Sequence, residues 1–435
     1  MLEMENTEGL SVNDDGHLVI GGCDVADLVK IYGTPLYVMD EEVIISMCRF
    51  YINTMKKLYG DNFNVIYASK AFLCKEIVRI IKNEKMCIDV VSGGELYTVL
   101  KSDFPAEKIY FHGNNKSFAE LELAVKNNVG TIVVDNEDEL RNLSEIAQKF
   151  NKIIKILVRV RPGVDAHTHS FIKTGQIDSK FGFSLENDEA LNIVLKIIKE
   201  KNFQLNGFHC HIGSQILDSA PFVKAAEIMM NFIGCLKKDF NINTYELNLG
   251  GGFGISYLPD EKHLDYTECL KNVQKTILEQ IDKFNINCPK ISIEPGRSIV
   301  GQAGITLYKV GNVKEIKGVR TYVSVDGGMT DNPRYIIYGS AYYVVNALKM
   351  KEKRNCIVTI AGKCCESGDL IQKDVKMCKT EVGDILAVLC TGAYNYSMAS
   401  NYNKIPKAAV VMVKNGKHRL IVKRQTLYDL LQYDI

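Results

Sequence analysis

The feature that most constrains the fold of this chain is a repeated alternation of short apolar runs with stretches of helical spacing. Apolar, β-compatible runs predict eight strands, at Asn64–Ala68, Cys87–Val91, Lys108–Phe111, Thr131–Val134, Ile154–Val160, Leu205–His209, Tyr245–Leu249 and Ile291–Ile293. Helical spacing predicts helices between them, at Cys74–Lys82, Gly94–Lys101, Ser117–Asn127, Glu137–Phe150, Asn187–Lys199, Pro221–Lys238 and Tyr266–Phe284. This count and order predict an α/β fold of the TIM type, a (β/α)8 barrel. A doubly wound open sheet is the alternative with the same alternation.

The residues that follow the predicted strands favour the barrel. Polar or glycine-rich segments come after most of them: Lys70, Ser92–Glu95, His112–Asn114, Arg159 with Arg161, His209–Ser214, Gly250–Gly254 and Glu294–Arg297. In a TIM barrel the C-terminal ends of the strands carry the active site, and the loops after strands seven and eight commonly hold a phosphate. The sequence therefore predicts a functional site at this end of the barrel.

Lys70 has an unusual position, just past the end of a predicted buried strand. A lysine amine forms a Schiff base with a carbonyl when its surroundings lower its pKa. The alternative is a lysine that simply extends its ammonium group from a strand end to solvent.

Together with Lys70, three further features predict pyridoxal 5′-phosphate as cofactor. The run Gly250–Gly252 lets backbone N–H groups approach an anion, and Gly296–Arg297 adds a second flexible point and a guanidinium. Glu294 is placed to hold the ring nitrogen as a pyridinium, which draws electrons from a carbanion at the substrate Cα. His211 is placed to stack on the ring, although a hydrogen-bonded histidine inside the barrel is the alternative.

After residue 298 the helical spacing becomes rare and short strands predominate. They are predicted at Thr306–Val313, Arg320–Val325, Cys356–Ala361, Ile385–Leu389, Ala408–Lys414 and Lys417–Val422. N-terminal strands at His17–Ile20 and Pro35–Met39, with a small helix near Val25–Tyr32, are expected to complete the same region. We therefore predict a barrel domain at 39–298 and a β-rich domain, a small barrel or sandwich, formed by 1–38 and 299–435.

Four segments of the β-rich region carry further candidate residues: Asp326–Arg334, Tyr338, Gly362–Asp369 and Gly392–Tyr396. Their Asp, Gly and Asn residues are also what turns require. Cys365 and Glu366 place a thiol beside an acid, with glycines on both sides, which predicts a proton-handling site. A buried structural cysteine is the alternative.

Composition limits the classes of partner and the compartment. The 435 residues exceed what one core normally serves. The net charge of +1 and the absence of a basic stripe argue against nucleic acid. No apolar run is long enough for a membrane span and no secretory signal is visible, which argues against a membrane. The thirteen cysteines form no CxxC pair or metal-ligand spacing, so we expect reduced thiols in a cytoplasm and no metal.

From about Gly33 to Leu427 the chain resembles the diaminopimelate decarboxylases, which belong to the alanine-racemase-like, fold-type III pyridoxal-phosphate enzymes. The resemblance rests on Tyr67–Ala71, Asp89–Leu96, His209–Ser214, Glu294–Ser298, Cys365–Asp369 and Gly392–Tyr394. It implies decarboxylation of meso-2,6-diaminopimelate at its D-centre, which gives L-lysine and CO2 as the last step of lysine biosynthesis. It also implies a homodimer with shared active sites, in which the Cys365 loop reaches into the partner's barrel.

The resemblance also implies a role for each candidate residue. Lys70 would be the Schiff-base lysine, His211 would stack on the cofactor ring, Glu294 would bind the pyridine nitrogen, and Cys365 would be the general acid. Ser214, Gly251, Gly252, Gly296 and Arg297 would surround the phosphate. Arg297, Arg334, Tyr338 and Glu366 would bind the substrate, and Tyr394 would contact both substrate and cofactor.

Two residues depart from the family pattern, and two other functions stay open. Tyr335 stands where the family often has Pro, and Asn395 where it commonly has Gly, which puts the local loop geometry in doubt. One alternative is a decarboxylase for ornithine, arginine or carboxynorspermidine, because such enzymes share the barrel motifs. Against it, ornithine decarboxylases typically carry Asp-Gly after the cysteine, where this chain has Glu366-Ser367. The other alternative is a non-catalytic protein of the same fold, like the antizyme inhibitors.

Overall fold

The computed structural model describes residues 9–164 and 179–435, and it contains the predicted closed barrel. The eight barrel strands are Phe63–Ala68, Cys87–Val90, Ile109–Phe111, Thr131–Val134, Ile154–Arg161, Phe203–His209, Glu246–Asn248 and Lys290–Ile293. Each is parallel to its neighbours, and the ring closes because the eighth strand pairs with the first, with Ile291 opposite Phe63. Closure excludes the open-sheet alternative and confirms the barrel prediction.

Helices follow the strands around this ring. They are Lys75–Asn83, Gly93–Leu100, Phe118–Lys126, Glu137–Phe150, Glu189–Ile197, Ala220–Phe240 and Tyr266–Phe284, and Glu41–Tyr59 precedes the first strand. Their ends are set by capping groups, as at Ser117, whose side chain and that of Glu120 form a capping box. Predicted and observed ends differ by at most two residues, because apolar spacing marks the buried face of a helix better than its end.

The barrel interior is filled by side chains from alternate strand positions. Ile66, Cys87, Tyr110, Val133 and Leu157 form one buried cluster there. Residues two apart on a strand point to the same side of the sheet. Three such pairs, Tyr110 with His112, Glu246 with Asn248, and Ser292 with Glu294, therefore place polar groups at two levels inside the barrel.

The β-rich region contains two sheets. The larger one consists of Leu36–Asp40, Gly304–Ile316, Arg320–Val325, Val344–Asn346, Cys356–Ala361, Leu370–Met377, Ile385–Val388, Ala409–Lys414 and Lys417–Val422. Leu36–Asp40 lies between Gly304–Ile316, to which it is antiparallel, and Ala409–Lys414, to which it is parallel. The prediction that N-terminal strands complete this region is thus confirmed.

The smaller sheet is an antiparallel meander of Leu10–Val12, Leu18–Ile20 and Cys23–Asp24, followed by the predicted helix Val25–Tyr32. Several elements of the β-rich region were not predicted, among them Val344–Asn346, Leu370–Met377 and the short helix Arg334–Tyr338. Leu370–Met377 escapes prediction because Gln372, Lys373 and Asp374 interrupt its apolar residues.

The chain divides into two compact units. The barrel unit comprises Cys48–Ile255 and His263–Gly296, and the β-rich unit comprises the described residues up to Met47 together with Ser256–Lys262 and Arg297–Ile435. No helix in the two described ranges has the length and apolar character of a membrane span. Residues 1–8, whose acidic character argues against a secretory signal, lie outside the described residues.

Candidate active site

Lys70 lies at the C-terminal end of the first barrel strand, in the single helical turn Ser69–Ala71. Its Nζ forms no hydrogen bond or ion pair within the described ranges. Asp89, at the end of the second strand, is buried and accepts a hydrogen bond from Ser69 N at 3.2 Å. Burial, together with the charge of Glu294, raises the pKa of Asp89 well above its usual value, whereas the charge of Lys70 lowers it. The amine therefore lies near a buried carboxyl but lacks a bonded partner.

Glu294 follows the eighth strand and is the centre of a buried polar cluster. Asn248 Nδ2 donates to Oε1 at 2.7 Å, and His209 Nε2 lies 3.2 Å from Oε2. His112 Nε2 lies 2.9 Å from Oε1, although its N–H bond deviates from hydrogen-bond geometry. The two imidazole rings meet edge to face, with their centroids 4.6 Å apart. Three side chains from the third, sixth and seventh strands thus converge on one carboxylate.

The two imidazoles favour an ionised Glu294. Burial lowers the pKa of His112 and lowers that of His209 to about 4, so both rings are neutral near pH 7. Burial alone would raise the pKa of Glu294, but electrostatic attraction to His112 and His209, together with the hydrogen bonds from their ring nitrogens, outweighs burial and lowers it well below the usual value. The oxygens and imidazole nitrogens lie within 4.8 Å of one another, a spacing that also suits a metal ion. The Asn248 donor on Oε1 instead favours a hydrogen-bonded carboxylate.

The glycine run after the seventh strand is required by close packing. A Cβ on Gly251 would lie 2.1 Å from the carbonyl oxygen of Glu294, and Gly252 has φ +111°. Gly250 N donates to Asn248 Oδ1 at 2.9 Å. The N–H groups of Gly252 and Gly296 donate to no atom of the residues that the structure describes. These two donors, rather than the whole run, are available to an anion.

His211 and Ser214 lie in the loop after the sixth strand, close in sequence to the buried His209. Gly251 N donates to His211 Nδ1 at 3.3 Å, which leaves the ring proton on Nε2. Burial and the charge of Lys70 lower the pKa of His211 well below its usual value, so this ring is also neutral. A neutral, partly exposed ring fits the predicted stacking role better than an imidazolium would.

Arg159 closes the fifth strand and is buried, with its guanidinium 4.2 Å from the ring centroid of Phe181. Its Nη1 lies 3.7 Å from Asp135 Oδ1. Sequence reasoning identified Arg159 as a strand-end residue but gave it no role. Its positive charge acts with burial to keep His112, His209 and His211 neutral.

In the β-rich unit a separate cluster forms around Tyr394, which has φ +65°. The Arg297 guanidinium lies 4.8 Å from the centroid of the Tyr394 ring, and that of Arg334 lies 5.5 Å from it. Arg297 Nη1 also donates to Tyr257 Oη, and Arg334 lies over the ring of Tyr338. The structure therefore brings together four of the predicted substrate or cofactor residues.

Arg334 has no anionic partner within the two described ranges. Only 5% of the residue is exposed, Nε has no hydrogen-bond partner, and Nη2 reaches Ser340 Oγ at 3.4 Å. A buried guanidinium is normally paired with an acid, because an unpaired charge is costly to bury. This arrangement can accept a carboxylate from a ligand.

The structure accommodates both departures from the family pattern. Asn395 is fully buried, and its amide donates to Tyr342 Oη at 3.2 Å and to Thr391 O at 3.3 Å. Tyr335 is half-buried and lies in the helix that begins at Arg334. Neither residue displaces a predicted site residue.

Cys365 and Glu366 lie in an exposed loop of the β-rich unit. Cys365 N donates to Asn403 Oδ1 at 2.7 Å. The loop is anchored by Asp369, a residue without an assigned role in the sequence interpretation. Its buried carboxylate accepts hydrogen bonds from Met329 N at 2.6 Å and Cys364 N at 2.7 Å. Exposure removes the alternative of a buried structural cysteine at position 365.

Six residues of these clusters received no role from the sequence: Asp89, His112, Arg159, His209 and Asn248 in the barrel and Tyr257 in the β-rich unit. His112, Arg159 and His209 were recognised there as strand-end residues. Asp89 and Asn248 lie within or at the end of a barrel strand, and the same strand-end signal applies to them.

Comparisons with known proteins identify the family. The family profile described as "Pyridoxal-dependent decarboxylase, pyridoxal binding domain" matches residues 47–301. The diaminopimelate decarboxylase of Bacillus subtilis (strain 168) is 46% identical over 426 residues, which covers 97% of this chain and 96% of that protein. The diaminopimelate decarboxylase of Bacillus methanolicus is 48% identical over 415 residues, 95% of this chain and 96% of that protein.

A comparison with a solved structure identifies the same family. The diaminopimelate decarboxylase of M. jannaschii, in co-complex with L-lysine, superposes with a TM-score of 0.91 at 35% identity. The match covers 100% of this chain and 99% of the other. Similarity in fold and in sequence therefore extends over both units.

Proposed function

This chain belongs to the pyridoxal-dependent diaminopimelate decarboxylases, and we propose that it converts meso-2,6-diaminopimelate to L-lysine and CO2 by cleavage at the D-centre. The observation that carries the proposal is the buried Glu294 carboxylate, bound by Asn248 and His209, in the same barrel as the amine of Lys70, which forms no hydrogen bond or ion pair within the described ranges. Curated relatives at 43–48% identity are diaminopimelate decarboxylases, which favours this substrate over ornithine, arginine or carboxynorspermidine.

The residues of the barrel fit pyridoxal 5′-phosphate. Lys70 Nζ would hold its aldehyde, the N–H groups of Gly252 and Gly296 would hold its phosphate, and His211 would cover the ring. When bound, the cofactor supplies an electron-withdrawing pyridinium that accommodates the electron pair left at Cα by decarboxylation. Glu294 would hold the proton on the ring nitrogen, because an ionised carboxylate beside a pyridinium favours the protonated form. Ser214, Gly251 and Arg297 complete the predicted surroundings of the phosphate.

The substrate has a carboxylate at each end, and the β-rich unit carries guanidinium groups that suit one of them. Arg334 is buried and has no acid partner within the described residues, so a substrate carboxylate would relieve an unpaired charge. Arg297, Tyr338 and Tyr394 contribute to the same cluster. Glu366 binds the distal ammonium, and Cys365 Sγ returns a proton to Cα. In this proposal the barrel domain, 39–298, binds the cofactor, and the β-rich domain, 1–38 and 299–435, supplies these groups.

The homodimer with shared active sites and the cytoplasmic location are also part of the proposal. Cys365 and Glu366 are exposed in the single chain, as expected for residues that complete a site in a second copy. All thirteen cysteines are free thiols, which suits a reducing compartment.

A product assay tests the function directly. We expect CO2 and L-lysine in equal amounts from meso-diaminopimelate. The LL-isomer should give no product, because it lacks a D-centre. Ornithine and lysine should react roughly 10⁴-fold less efficiently in kcat/KM, because they lack the distal carboxylate that pairs a buried guanidinium. Comparable kcat/KM for ornithine and diaminopimelate would contradict the assignment of substrate.

Mixing two inactive variants tests the shared site. Lys70→Ala and Cys365→Ala each remove one essential group, and each should be nearly inactive alone. After subunit exchange half of the dimers are hybrids, and each hybrid has one site with both defects and one with none. About a quarter of wild-type activity should return. Activity that stays at background, with exchange demonstrated by mass spectrometry of tagged subunits, would place each site within one chain.

A further inference from the structure

The arrangement of donors around Glu294 suggests a function for three residues that the proposed reaction does not yet use. We propose that His112, His209 and Asn248 are positioning residues that orient Glu294 and leave one lone pair of its Oε2 open for the pyridinium N–H of the cofactor. The inference rests on the proposed function, since it deepens the role given to Glu294.

Counting lone pairs supports the proposal. A carboxylate offers about four acceptor positions, two on each oxygen. Oε1 accepts from Asn248 Nδ2 at 2.7 Å and also faces His112 Nε2 at 2.9 Å, outside hydrogen-bond geometry. Oε2 faces one nitrogen, His209 Nε2 at 3.2 Å. Within the described residues Oε2 is thus the less crowded oxygen, and its open position fits a single further N–H donor.

The protonation state of His209 follows from its geometry. Its Nε2 faces a carboxylate oxygen and must carry a proton to donate. Its Nδ1 is buried and has no hydrogen-bond partner in the described structure. An imidazolium would bury a charge together with an unsatisfied N–H at Nδ1, whereas the neutral Nε2–H form buries only an unpaired acceptor there. The neutral form is therefore favoured, and burial lowers the pKa of His209 to about 4 in agreement.

Neutral donors suit the task better than cationic ones would. A histidinium beside Glu294 would neutralise the carboxylate and weaken its attraction for a pyridinium. Neutral imidazole and amide groups fix the orientation of the carboxylate but leave its charge available. Asn248 also accepts from Gly250 N at 2.9 Å, which ties the orientation of Glu294 to the start of the glycine run.

A cofactor analogue separates positioning from general structural support. The probes are pyridoxal 5′-phosphate and the analogue in which a carbon replaces the ring nitrogen, each titrated into the full-length apo-protein by absorbance. Wild type should prefer the natural cofactor by roughly 10- to 100-fold, the value of a charged hydrogen bond. His209→Phe, which removes the donor but keeps a ring, should lower this preference roughly tenfold, and His209→Gln should restore most of it. The matched control is Tyr110→Phe, which removes a donor to a different buried glutamate in the same barrel and should keep the wild-type preference.

Turnover in a double-mutant cycle gives the second readout. In an otherwise wild-type protein, His209→Phe should reduce kcat roughly 10- to 100-fold. The KM for diaminopimelate should change no more than a few-fold. In a Glu294→Gln background the same change should cost less than about threefold, because its effect passes through Glu294.

The possible failures are distinguishable. Equal weakening of both cofactor forms in His209→Phe, or an undiminished effect in the Glu294→Gln background, would make His209 merely structural and overturn the inference. If Glu294→Gln keeps the wild-type preference for pyridoxal 5′-phosphate over the carbon analogue, the role of Glu294 in the proposed function is wrong. If His209→Phe does not fold, His112→Phe with His112→Gln as its rescue gives the same measurements, with the same outcomes expected.

Discussion

Two buried glutamates in the same barrel have the same number of polar neighbours but different kinds. Glu246, at the start of the seventh strand, accepts from Tyr110 Oη at 2.9 Å, Ser292 Oγ at 2.6 Å and Asn206 Nδ2 at 3.0 Å. Glu294, just after the eighth strand, is approached by one amide and two imidazoles. On the third strand the two sets of neighbours occupy adjacent levels, since Tyr110 precedes His112 by two residues.

The difference shows how position along the barrel assigns a role to an otherwise similar cluster. Residues at the N-terminal end of a TIM barrel serve stability, whereas the C-terminal end holds the site. Around Glu246, hydroxyl and amide donors satisfy the carboxylate without adding a group that titrates near neutral pH. Around Glu294, the imidazoles lie beside His211 and Lys70, where a cofactor is expected. Predictions that treat the two clusters alike should therefore fail.

The largest expected difference concerns the two acids themselves. Glu294→Gln should reduce kcat by on the order of 10²–10³, the loss typical of one charge-stabilising group, because an amide cannot balance a pyridinium. Glu246→Gln replaces one carboxylate oxygen by an NH2 group, so Asn206 Nδ2 loses its acceptor, and the free energy of unfolding should fall by about 1–3 kcal/mol. Its kcat per folded molecule should stay within a few-fold of wild type. Steady-state kinetics on both variants, with the folded fraction measured by circular dichroism, test the contrast, and equal loss of turnover in the two would remove it.

Part of the cluster around Glu294, the upper cluster, could be predicted from the sequence. The cluster around Glu246, the lower cluster, could not. Lys70 and Glu294 could be predicted because each follows an apolar run at the position where a barrel places its chemistry. Tyr110 and Glu246 lie within or at the start of strands, where a single sequence does not tell an inward polar residue from an outward one.

The unpaired state of Arg334 could not be predicted either, because a missing partner is visible only when every neighbour in space is known. The same holds for Gly251, whose lack of a side chain reflects a carbonyl 43 residues away in the chain, that of Glu294.

The next contrast concerns pH. The pKa of His209 falls from the usual 6.5 to about 4 on folding. Between these values the unfolded chain binds more protons, so His209 lowers the free energy of unfolding as pH falls, by roughly 3 kcal/mol over the window. Other buried groups titrate in the same range, so the measurement is a difference between two proteins. Urea denaturation at pH 7 and pH 4.5 should show wild type losing more stability than His209→Gln, which has no imidazole at this position. Parallel losses in the two proteins would show that His209 titrates normally in the folded state.

The smallest expected effect belongs to Tyr110→Phe, and it tests the lower cluster. The hydroxyl of Tyr110 donates to Glu246 Oε1 and accepts from Asn64 Nδ2, each at 2.9 Å. Burial, together with the charge of Glu246, raises the pKa of Tyr110 well above 10, so the group stays a donor at neutral pH. Its loss leaves Glu246 with Ser292 and Asn206, and the free energy of unfolding should fall by about 1–2 kcal/mol. Turnover, cofactor preference and the pH dependence of stability should match wild type, because no donor to Glu294 has changed. A tenfold loss of kcat with stability intact would show that the lower cluster also acts on the site, and the division between the two levels would then be wrong.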